Sequence, residues 1–453
     1  MPRSTIVAGV LAVALLLLAV VLLGPGRPVE ENGGPAGEPS PSTAPPDSGA
    51  AAGEPQPGFL YGRVTTLSAG VLEGRLRWGG DQEAFWGDTF NGRKRENPWV
   101  AHVPPERRPR DRRPIRFFGL ELGHRDREVD LRRLFMARFG DVARIEASGG
   151  NVRVTLRSGT AFDLDRFEAS DFDDGVRVWD ARRGTVDLDS LQVRSIEPLP
   201  AGPSSAAPSR LHGTVRTPHG EFAGFLQWDR EECVGTDVLD GRTEAGAQKL
   251  RFDALRSIAR RPAGGVLATL ADGRELALSG TNDVDEGNRG VYVDDPRYGR
   301  VLVSWGAFER VDFSPGGSGP AYGDFPPGTP LAGSVTTRDG RSLAGRLVFD
   351  LDESETTETL DAPSQGVDYT IPFGLVASIA AAPGADDAAA LVRVTLHGGE
   401  ELQLERRGDL GERNAGLLVF VEGLERPEYV PWAEVARVDL DRPKAFYPPL
   451  PGP

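Results

Sequence analysis

The chain repeats one unit six times, and this repetition constrains its fold more than any other feature. Each unit has a two-residue turn ending in glycine and, roughly 38 residues later, a closing motif that ends in Ile or Val; an insertion stretches the first spacing to about 75 residues. The turns are Ala69-Gly70, Ser158-Gly159, His219-Gly220, Asp272-Gly273, Asp339-Gly340 and Gly398-Gly399. The closing motifs end at Ile145, Ile196, Ile258, Val311, Ile379 and Val438.

The residues around the turns predict β-hairpins. Apolar and polar residues alternate before each turn, as in Val152-Val154-Leu156, and alternation on both sides of an x-Gly turn is the main short-range hairpin signal. The closing motif advances in steps of three, as in Phe252-Leu255-Ile258, which is typical of a single 3₁₀ turn between strands. The sequence therefore predicts an all-β protein.

Segments rich in Pro and Gly divide the repeats into three tandem domains. We expect domains at residues 59–198, 211–313 and 331–440, with a basic insertion near residues 80–134 of the first. Each domain contains two of the six units, so we expect two similar, small, barrel-like halves packed together. The alternative is one two-sheet sandwich of about eight to ten strands per domain.

The order of elements in each half is strand, hairpin, further strands, one helical turn and a short last strand. This order resembles the small SH3-like barrels, and the PRC-barrel type in particular. The resemblance lies in the spacing of hairpins and closing turns, so it implies a fold and carries no activity.

The N-terminal segment indicates export. Residues 6–23 form an unbroken run of apolar residues and glycine after Arg3, and at 1.5 Å per residue a helix there would be about 27 Å long. We therefore expect a signal-anchor transmembrane helix over residues 1–23, with residues 24–453 extracytoplasmic. The alternative is a cleaved signal peptide and a secreted or periplasmic protein. Residues 24–58 are predicted to be a disordered linker, and residues 441–453 a Pro-rich tail.

Composition excludes some partners and frameworks. The formal net charge is -15, which argues against nucleic acid as a partner because phosphate binding requires a positive surface. Cys233 is the only cysteine, so the chain cannot form an intrachain disulfide. The five histidines lie far apart, and no nucleophile elbow or phosphate-binding glycine loop is present, so we predict no catalytic residues and no enzyme activity.

An oxygen-rich loop in the second domain is the candidate metal site. Ca²⁺ takes six to eight hard oxygen ligands, which Asp and Asn supply. The candidate ligands are Asn282, Asp283, Asp285 and Asn288. Asn and Asp are also frequent in turns, where they bond the backbone, and this interpretation is favoured. Beyond Ca²⁺ we expect no cofactor.

The insertion in the first domain is the candidate partner-binding surface. It is basic within an acidic chain, and arginine clusters pair with phosphate or carboxylate groups. The basic residues are Arg93, Lys94, Arg95, Arg107, Arg108, Arg110, Arg112, Arg113 and Arg116. The simpler interpretation is an arginine-rich loop that pairs with the neighbouring acidic domains.

Three hypotheses of function follow. The first is a membrane-anchored repeat protein that binds or scaffolds at the cell envelope, with an envelope protein or an anionic polymer as partner. The second is a Ca²⁺-dependent interaction module that uses the acidic loops between strands. The third is a hydrolase of envelope polymers with paired carboxylates, which no motif supports.

Overall fold

The computed structural model describes residues 56–68, 70–79, 81–108, 110–117, 120–128, 131–168, 170–202, 207–381 and 391–445; within residues 110–128, and at residues 170 and 381, it describes the backbone alone. The predicted transmembrane segment, the linker up to residue 55 and the tail from residue 446 lie outside these ranges. Within these ranges, no helix has the length and apolar character to cross a bilayer. The fold is all-β, as the hairpin pattern predicts.

We call residues 59–198, 211–313 and 331–440 the first, second and third modules. The first contains β1 (Tyr61–Thr66), β2 (Val71–Trp78), β3 (Thr89–Arg93), β4 (Arg110–Phe117), β5 (Leu120–Glu128), β6 (Leu134–Arg138), β7 (Val142–Ser148), β8 (Asn151–Leu156), β9 (Ala161–Asp165), the helix α1 (Ser170–Asp173), β10 (Val176–Asp180), β11 (Gly184–Leu188) and β12 (Val193–Pro198).

The second module contains β13 (His212–Thr217), β14 (Gly220–Gln227), β15 (Val238–Thr243), β16 (Gly246–Arg251), β17 (Leu255–Arg260), β18 (Val266–Leu270), β19 (Glu275–Leu278), β20 (Val291–Asp295), β21 (Gly299–Val303) and β22 (Arg310–Phe313). The third contains β23 (Ala332–Thr337), β24 (Ser342–Val348), β25 (Thr359–Ser364), β26 (Val367–Pro372), β27 (Val376–Ala381), β28 (Val392–Leu396), β29 (Glu401–Leu404), β30 (Leu417–Phe420), β31 (Glu428–Val430) and β32 (Val435–Leu440).

Short 3₁₀ helices connect many of these strands. They span Pro98–His102, Pro105–Arg107, Phe139–Asp141, Phe252–Ala254, Asn282–Val284, Tyr322–Asp324, Phe373–Leu375, Gly408–Leu410 and Trp432–Glu434. The helices that begin at Phe139, Phe252, Phe373 and Trp432 lie in closing motifs, which confirms the 3₁₀ turn in four of the six copies.

The three modules share one strand order. The sheets run β11-β10-β2-β1-β12-β7-β8-β9, then β21-β20-β14-β13-β22-β17-β18-β19, then β31-β30-β24-β23-β32-β27-β28-β29. In the second sheet, β26 and β25 of the third module extend the edge beyond β21, so strand pairing runs continuously across these two modules. The repeat in the sequence is therefore a repeat of sheet topology.

Each x-Gly segment lies where two antiparallel strands that pair with each other are joined, so the predicted hairpins are confirmed. The predicted two-residue turn is not general: the N–H of Thr337 donates to the Arg341 carbonyl oxygen across three residues, and Gly220 pairs with Thr217 as the first residue of β14. The turn glycines have left-handed backbones, with φ of 86° at Gly273 and 88° at Gly340. A side chain at either position would strain the turn, which explains why glycine recurs there.

The two halves of each module meet through their closing motifs. The last residue of one closing motif lies directly opposite the last residue of the other, on paired antiparallel strands, and all six side chains are buried. The three pairs are Ile145 with Ile196, Ile258 with Val311 and Ile379 with Val438. This pairing relates the two halves of each module by an approximate two-fold axis that passes between the two closing strands.

Strand pairing interleaves the two halves. In the second module, β13 and β14 from the first half lie in the sheet with β20, β21 and β22 from the second half. The strands between them in sequence, β15 to β19, form a second set. In this set β17, β18 and β19 continue the same sheet beyond β22, and a bridge between Arg242 and Ser279 connects the β15–β16 hairpin to the end of β19. Each five-stranded set thus contains strands from both sequence halves.

We predict that Ile258→Ala destabilises the second module strongly. Its side chain is fully buried at the two-fold axis, and removal of buried methyl and methylene groups from Ile costs roughly 2 to 5 kcal/mol. Urea unfolding followed by far-UV circular dichroism measures the change. The matched control is Leu424→Ala, because Leu424 is 53% exposed and its loss should change the stability by less than about 0.5 kcal/mol. Equal effects of the two substitutions would contradict this view of the core.

Candidate functional site

Two of the four predicted calcium ligands bond to the first half of the module, one to the loop after β14 and one to strand β15. Asn282 Nδ2 donates to Asp229 Oδ2 at 2.7 Å, and the carboxylate of Asp283 accepts the backbone N–H of Asp240 at 2.7 Å. Asp283 is buried, which raises the pKa of its carboxyl group. These bonds attach the loop of the second half to the first half of the module.

The other two predicted ligands close turns within their own loop. Asn288 Nδ2 donates to the carbonyl oxygen of Asp283 at 2.9 Å, and Asn288 Oδ1 accepts the N–H of Gly290 at 2.8 Å. The carboxylate of Asp285 accepts the N–H of Gly280. All four side chains therefore have a structural role in the loop.

The same bonds recur in the third module. Asp409 accepts the N–H of Asp361 at 2.6 Å, while Asn414 donates to the Asp409 carbonyl oxygen at 2.6 Å and accepts the N–H of Gly416 at 2.8 Å. The Asp and Asn of this loop are thus features of the repeat. In the part of the chain that the structure describes, no group of three or more His, Cys, Asp or Glu side chains is arranged to hold a metal ion. Calcium binding by this loop stays a prediction.

The first half of each module has a second acidic loop. It follows a buried aromatic residue, which is Trp78, Trp228 or Phe349. There, a carboxylate accepts two backbone N–H groups at the start of the loop, as Asp237 Oδ2 does from Cys233 at 2.8 Å and from Val234 at 3.0 Å. Asp88 and Glu358 occupy the equivalent positions and make the equivalent bonds. Each of these carboxylates is therefore already hydrogen-bonded within its own loop.

Cations from neighbouring modules pair with two of these loop-closing carboxylates. Arg300 of the second module lies 2.9 Å from Asp88 of the first. Lys94 of the first module lies 2.7 Å from Asp352 and 3.4 Å from Glu358 of the third. The Arg300 and Lys94 side chains are largely buried, so these ion pairs are shielded from solvent.

The structure places five of the nine basic residues of the predicted partner surface in three separate groups of contacts. Lys94 is 6% exposed and belongs to the contact between the first and third modules. Arg93 and Arg95 pair within the first module, with Glu168 at 3.5 Å and Asp165 at 3.9 Å. A third group consists of Arg107, which lies 2.8 Å from Glu434 of the third module, and Arg108, which donates to the Val103 carbonyl oxygen at 3.4 Å. The side chains of Arg110, Arg112, Arg113 and Arg116 lie outside the described part, and their backbone forms β4.

Apolar contacts also join the insertion to the third module. Val103 and Leu131 are buried in one cluster with Leu351 and Leu418. Between them, Asn97 Nδ2 donates to the carbonyl oxygens of Leu131 at 2.8 Å and Leu351 at 2.9 Å. The residues on either side of β4 and β5 therefore form a strap between the first and third modules.

All three modules meet at a small central cavity of about 20 Å³, which is large enough for one water molecule. Trp86 and Arg138 line it from the first module, Asp294 and Arg300 from the second, and Thr357 from the third. Arg300 contacts Asp294 at 2.8 Å, and the methyl group that any other residue would add at Gly87 would overlap the Asp294 carboxylate. The close approach of the Asp294 carboxylate to the backbone at position 87 explains why glycine is required there.

A larger, open cleft of about 330 Å³ lies where the first and second modules meet. Asp81, Glu231, Glu232 and Asp237 line it, together with Arg77. Burial raises the pKa of Asp81 to about 7, with a further contribution from Asp88, and burial raises the pKa of Glu232 to about 9. These two carboxyl groups hold protons near neutral pH, so this cleft is the nearest counterpart to the paired carboxylates of the hydrolase hypothesis.

Burial also raises carboxyl pKa values at the contact with the strap. The pKa of Asp350 is raised to about 7 and that of Asp352 to about 6, although Arg133 and Lys94 oppose the shifts. Arg133 Nη2 lies 2.7 Å from Asp350 Oδ1. At this contact, three buried carboxyl groups (Asp350, Asp352 and Glu358) pair with two cations (Lys94 and Arg133).

Sequence reasoning missed the roles of Lys94, Arg133 and Arg300. No local pattern distinguishes these residues from other basic residues of the chain, because each pairs with an acid far away in sequence. The only available signal was the recurrence of the acidic loops beside a basic insertion, which favoured pairing between the two but could not name the partners.

Comparison with known proteins adds no relative: no protein-family model, no curated protein and no solved structure matches the chain.

We predict that Lys94→Met destabilises the protein by roughly 3 to 5 kcal/mol at pH 8, because Asp352 and Glu358 would stay buried without their cation. The effect should shrink near pH 5, where Asp352, whose pKa is about 6, becomes neutral. Urea unfolding at both pH values measures it. Arg95→Met is the control, since Arg95 is more exposed and lies 3.9 Å from its partner. A loss that is equal at both pH values would rule out an electrostatic cause.

We predict that the protein becomes more stable as the pH falls from 8 to 5.5. The native pKa values of Asp81, Asp350 and Asp352 lie above the ordinary value, so over this range the native state holds protons that the unfolded state releases. Each such proton contributes about 1.4 kcal/mol per pH unit. The gain ends near the ordinary carboxyl pKa of about 4, where the unfolded state also binds protons.

The measurement is the urea midpoint against pH for the native sequence and for Asp81→Asn. Asn is neutral at every pH, so the variant should be more stable at pH 8 and should show a shallower slope. A native midpoint that is higher at pH 8 than at pH 5.5 would refute the raised pKa values.

Proposed function

We propose that this chain is a membrane-anchored, extracytoplasmic repeat protein that binds a partner at the cell envelope, and that the β4–β5 hairpin is its recognition element. Residues 6–23 would be the anchor and residues 24–58 the tether. The three modules would form the platform, each a pair of small SH3-like barrels. The partner is an anionic polymer or the acidic surface of an envelope protein.

One observation carries this proposal. Among the described strands, β4 and β5 pair only with each other, at the tip of the β3–β6 hairpin. In the other two modules the equivalent hairpins close in short turns, between Thr243 and Gly246 and between Ser364 and Val367. The hairpin is thus an addition that the repeat does not need, and such additions are often functional.

The residues of the hairpin support an anionic partner. Strand β4 carries Arg110, Arg112, Arg113 and Arg116 in eight residues, in a chain of net charge -15. Guanidinium groups bind phosphate, sulfate and carboxylate in a bidentate manner. The interactions of Lys94 and Arg107 with the third module support the base of the hairpin, so the recognition element would stand on a fixed support.

We predict that replacing Arg110, Arg112, Arg113 and Arg116 with Gln leaves the fold intact but abolishes most binding to an anionic polymer. Four ion pairs with the polymer at roughly 0.5 kcal/mol each amount to about 2 kcal/mol, so affinity for dextran sulfate should fall about ten-fold or more. Surface plasmon resonance with the full chain at several salt concentrations measures this loss.

The matched control replaces Arg216, Arg274, Arg341 and Arg437, which lie on exposed strands and turns of the second and third modules, with Gln. Its affinity should change little. An equal loss in both variants would mean that binding reflects net charge alone, and no loss in either would remove the hairpin from the proposal.

We further predict that the mature protein retains residues 1–23. Mass spectrometry of the N-terminal peptide from membranes of the native host measures this directly. A mature N-terminus after residue 23 would replace the anchor with a cleaved signal peptide.

A further inference from the structure

One end of the first module exposes four large apolar side chains. The exposed fractions are 69% for Leu67, 53% for Val71, 80% for Phe167 and 70% for Leu191. We call these four residues the apolar end. Large apolar residues exposed together at one place on a soluble module mark a contact with a partner or a membrane.

Hydrogen bonds show that the loops of the apolar end are neighbours. The N–H of Leu67 donates to the Gln192 carbonyl oxygen at 2.9 Å, which places the β1–β2 turn beside the loop of Leu191. Arg166 donates to the carbonyl oxygen of Ser190 at 2.8 Å and to that of Gly149 at 3.2 Å, which places the loop of Phe167 on the other side. Val71 begins the strand that follows the Leu67 turn.

The other two modules lack this apolar end. Strand pairing aligns the modules residue by residue: Val64 faces Leu72, as Val215 faces Phe222 and Val335 faces Leu343. In the order Leu67, Val71, Phe167, Leu191, the equivalents are Pro218, Glu221, Thr281 and Gly306 in the second module and Arg338, Ser342, Arg407 and Ala433 in the third. None is a large apolar residue, so the fold does not require the apolar end.

Charged groups of both signs surround the apolar end, since the exposed Glu168 follows Phe167 and the exposed Asp189 lies two residues before Leu191. Arg182 and Arg183 are exposed in the turn between β10 and β11, and a methyl group added at Gly70 would lie 3.9 Å from Arg183 Nη2. The Asp180 carboxylate beside them accepts the N–H groups of Arg182 at 2.8 Å and Arg183 at 2.9 Å, so it is engaged with its own turn. Arginines beside exposed apolar side chains are typical of surfaces that enter the membrane interface.

We propose that the apolar end of the first module inserts into the surface of the lipid bilayer, an inference that rests on the proposed membrane anchor. The first module is the one that follows the tether, and only this module carries the apolar end. The predicted linker, residues 24–58, would span on the order of 30 Å as a random coil. Strand β1 leads from the tether side of the module to Leu67 over about 20 Å. A linker of this length would allow the apolar end to lie on the bilayer that holds the proposed anchor.

The test uses the full chain in vesicles of phosphatidylcholine and phosphatidylglycerol. Ser68→Cys, at the apolar end, carries an environment-sensitive fluorophore, and Arg338→Cys carries it at the equivalent turn of the third module. The native Cys233 is buried and its thiol pKa is raised, so it should not react. We expect a blue shift at position 68, quenching there by lipids with a spin label in the upper acyl chain, and neither effect at position 338.

A second variant replaces Leu67, Val71, Phe167 and Leu191 with Ser and should lose the blue shift and the quenching at position 68. Its matched control replaces the exposed Leu391 and Leu424 of the third module with Ser and should retain both. Far-UV circular dichroism confirms that each variant is folded.

Flotation of the vesicles separates this inference from the anchor. A chain that floats with the vesicles, while position 68 stays in water, overturns the inference and leaves the anchor in place. A chain that does not float overturns both. A blue shift at position 68 without quenching by lipid would mean that a second copy of the chain, or its own residues 6–23, covers the apolar end, and this outcome also overturns the inference.

Discussion

The antiparallel pair of closing strands at the centre of each module is the contact on which the rest of the structure depends. Ile258 faces Val311 there, and equivalent pairs occupy the other two modules. Because these strands come from different halves, neither half has a complete sheet without the other. This arrangement offers a physical reason why the units occur in twos: a unit of roughly 48 residues buries too little apolar surface to be stable alone. The pairing turns two such units into one core.

Buried charge determines how the modules meet. Lys94 enters the acidic loop of the third module, and Arg300 reaches Asp88 of the first. Such pairs add little net stability, because both partners lose their hydration, but an unpaired member is costly. They therefore favour one arrangement of the modules over others. The raised pKa values of Asp350 and Asp352 reflect the same burial. These ion pairs hold the three modules in one arrangement, while the β4–β5 hairpin and the apolar end are additions to the modules.

Local patterns predicted the elements well. The x-Gly turns and the alternation around them predicted the hairpins, and steps of three predicted the 3₁₀ turns, because both are set by residues close in sequence. The oxygen-rich loop around Asp283 was identified as a feature, but the Asp283 carboxylate bonds to strand β15, 43 residues away in sequence, which composition does not reveal. Likewise, nine basic residues formed one group by proximity in sequence, whereas the structure buries Lys94 and places Arg93 and Arg107 in different contacts.

The sequence alone determined the repeat, the all-β class and the position of the insertion, since these follow from periodicity and turn chemistry within each copy. Only the tertiary structure decided that the halves interleave, that the insertion straps the first module to the third, and that Leu67, Val71, Phe167 and Leu191 share one end of a module. These four residues are spread over more than a hundred positions of the chain, and exposure is a property of the folded surface. Contacts between distant segments depend on how whole sheets pack, and no local pattern encodes that packing.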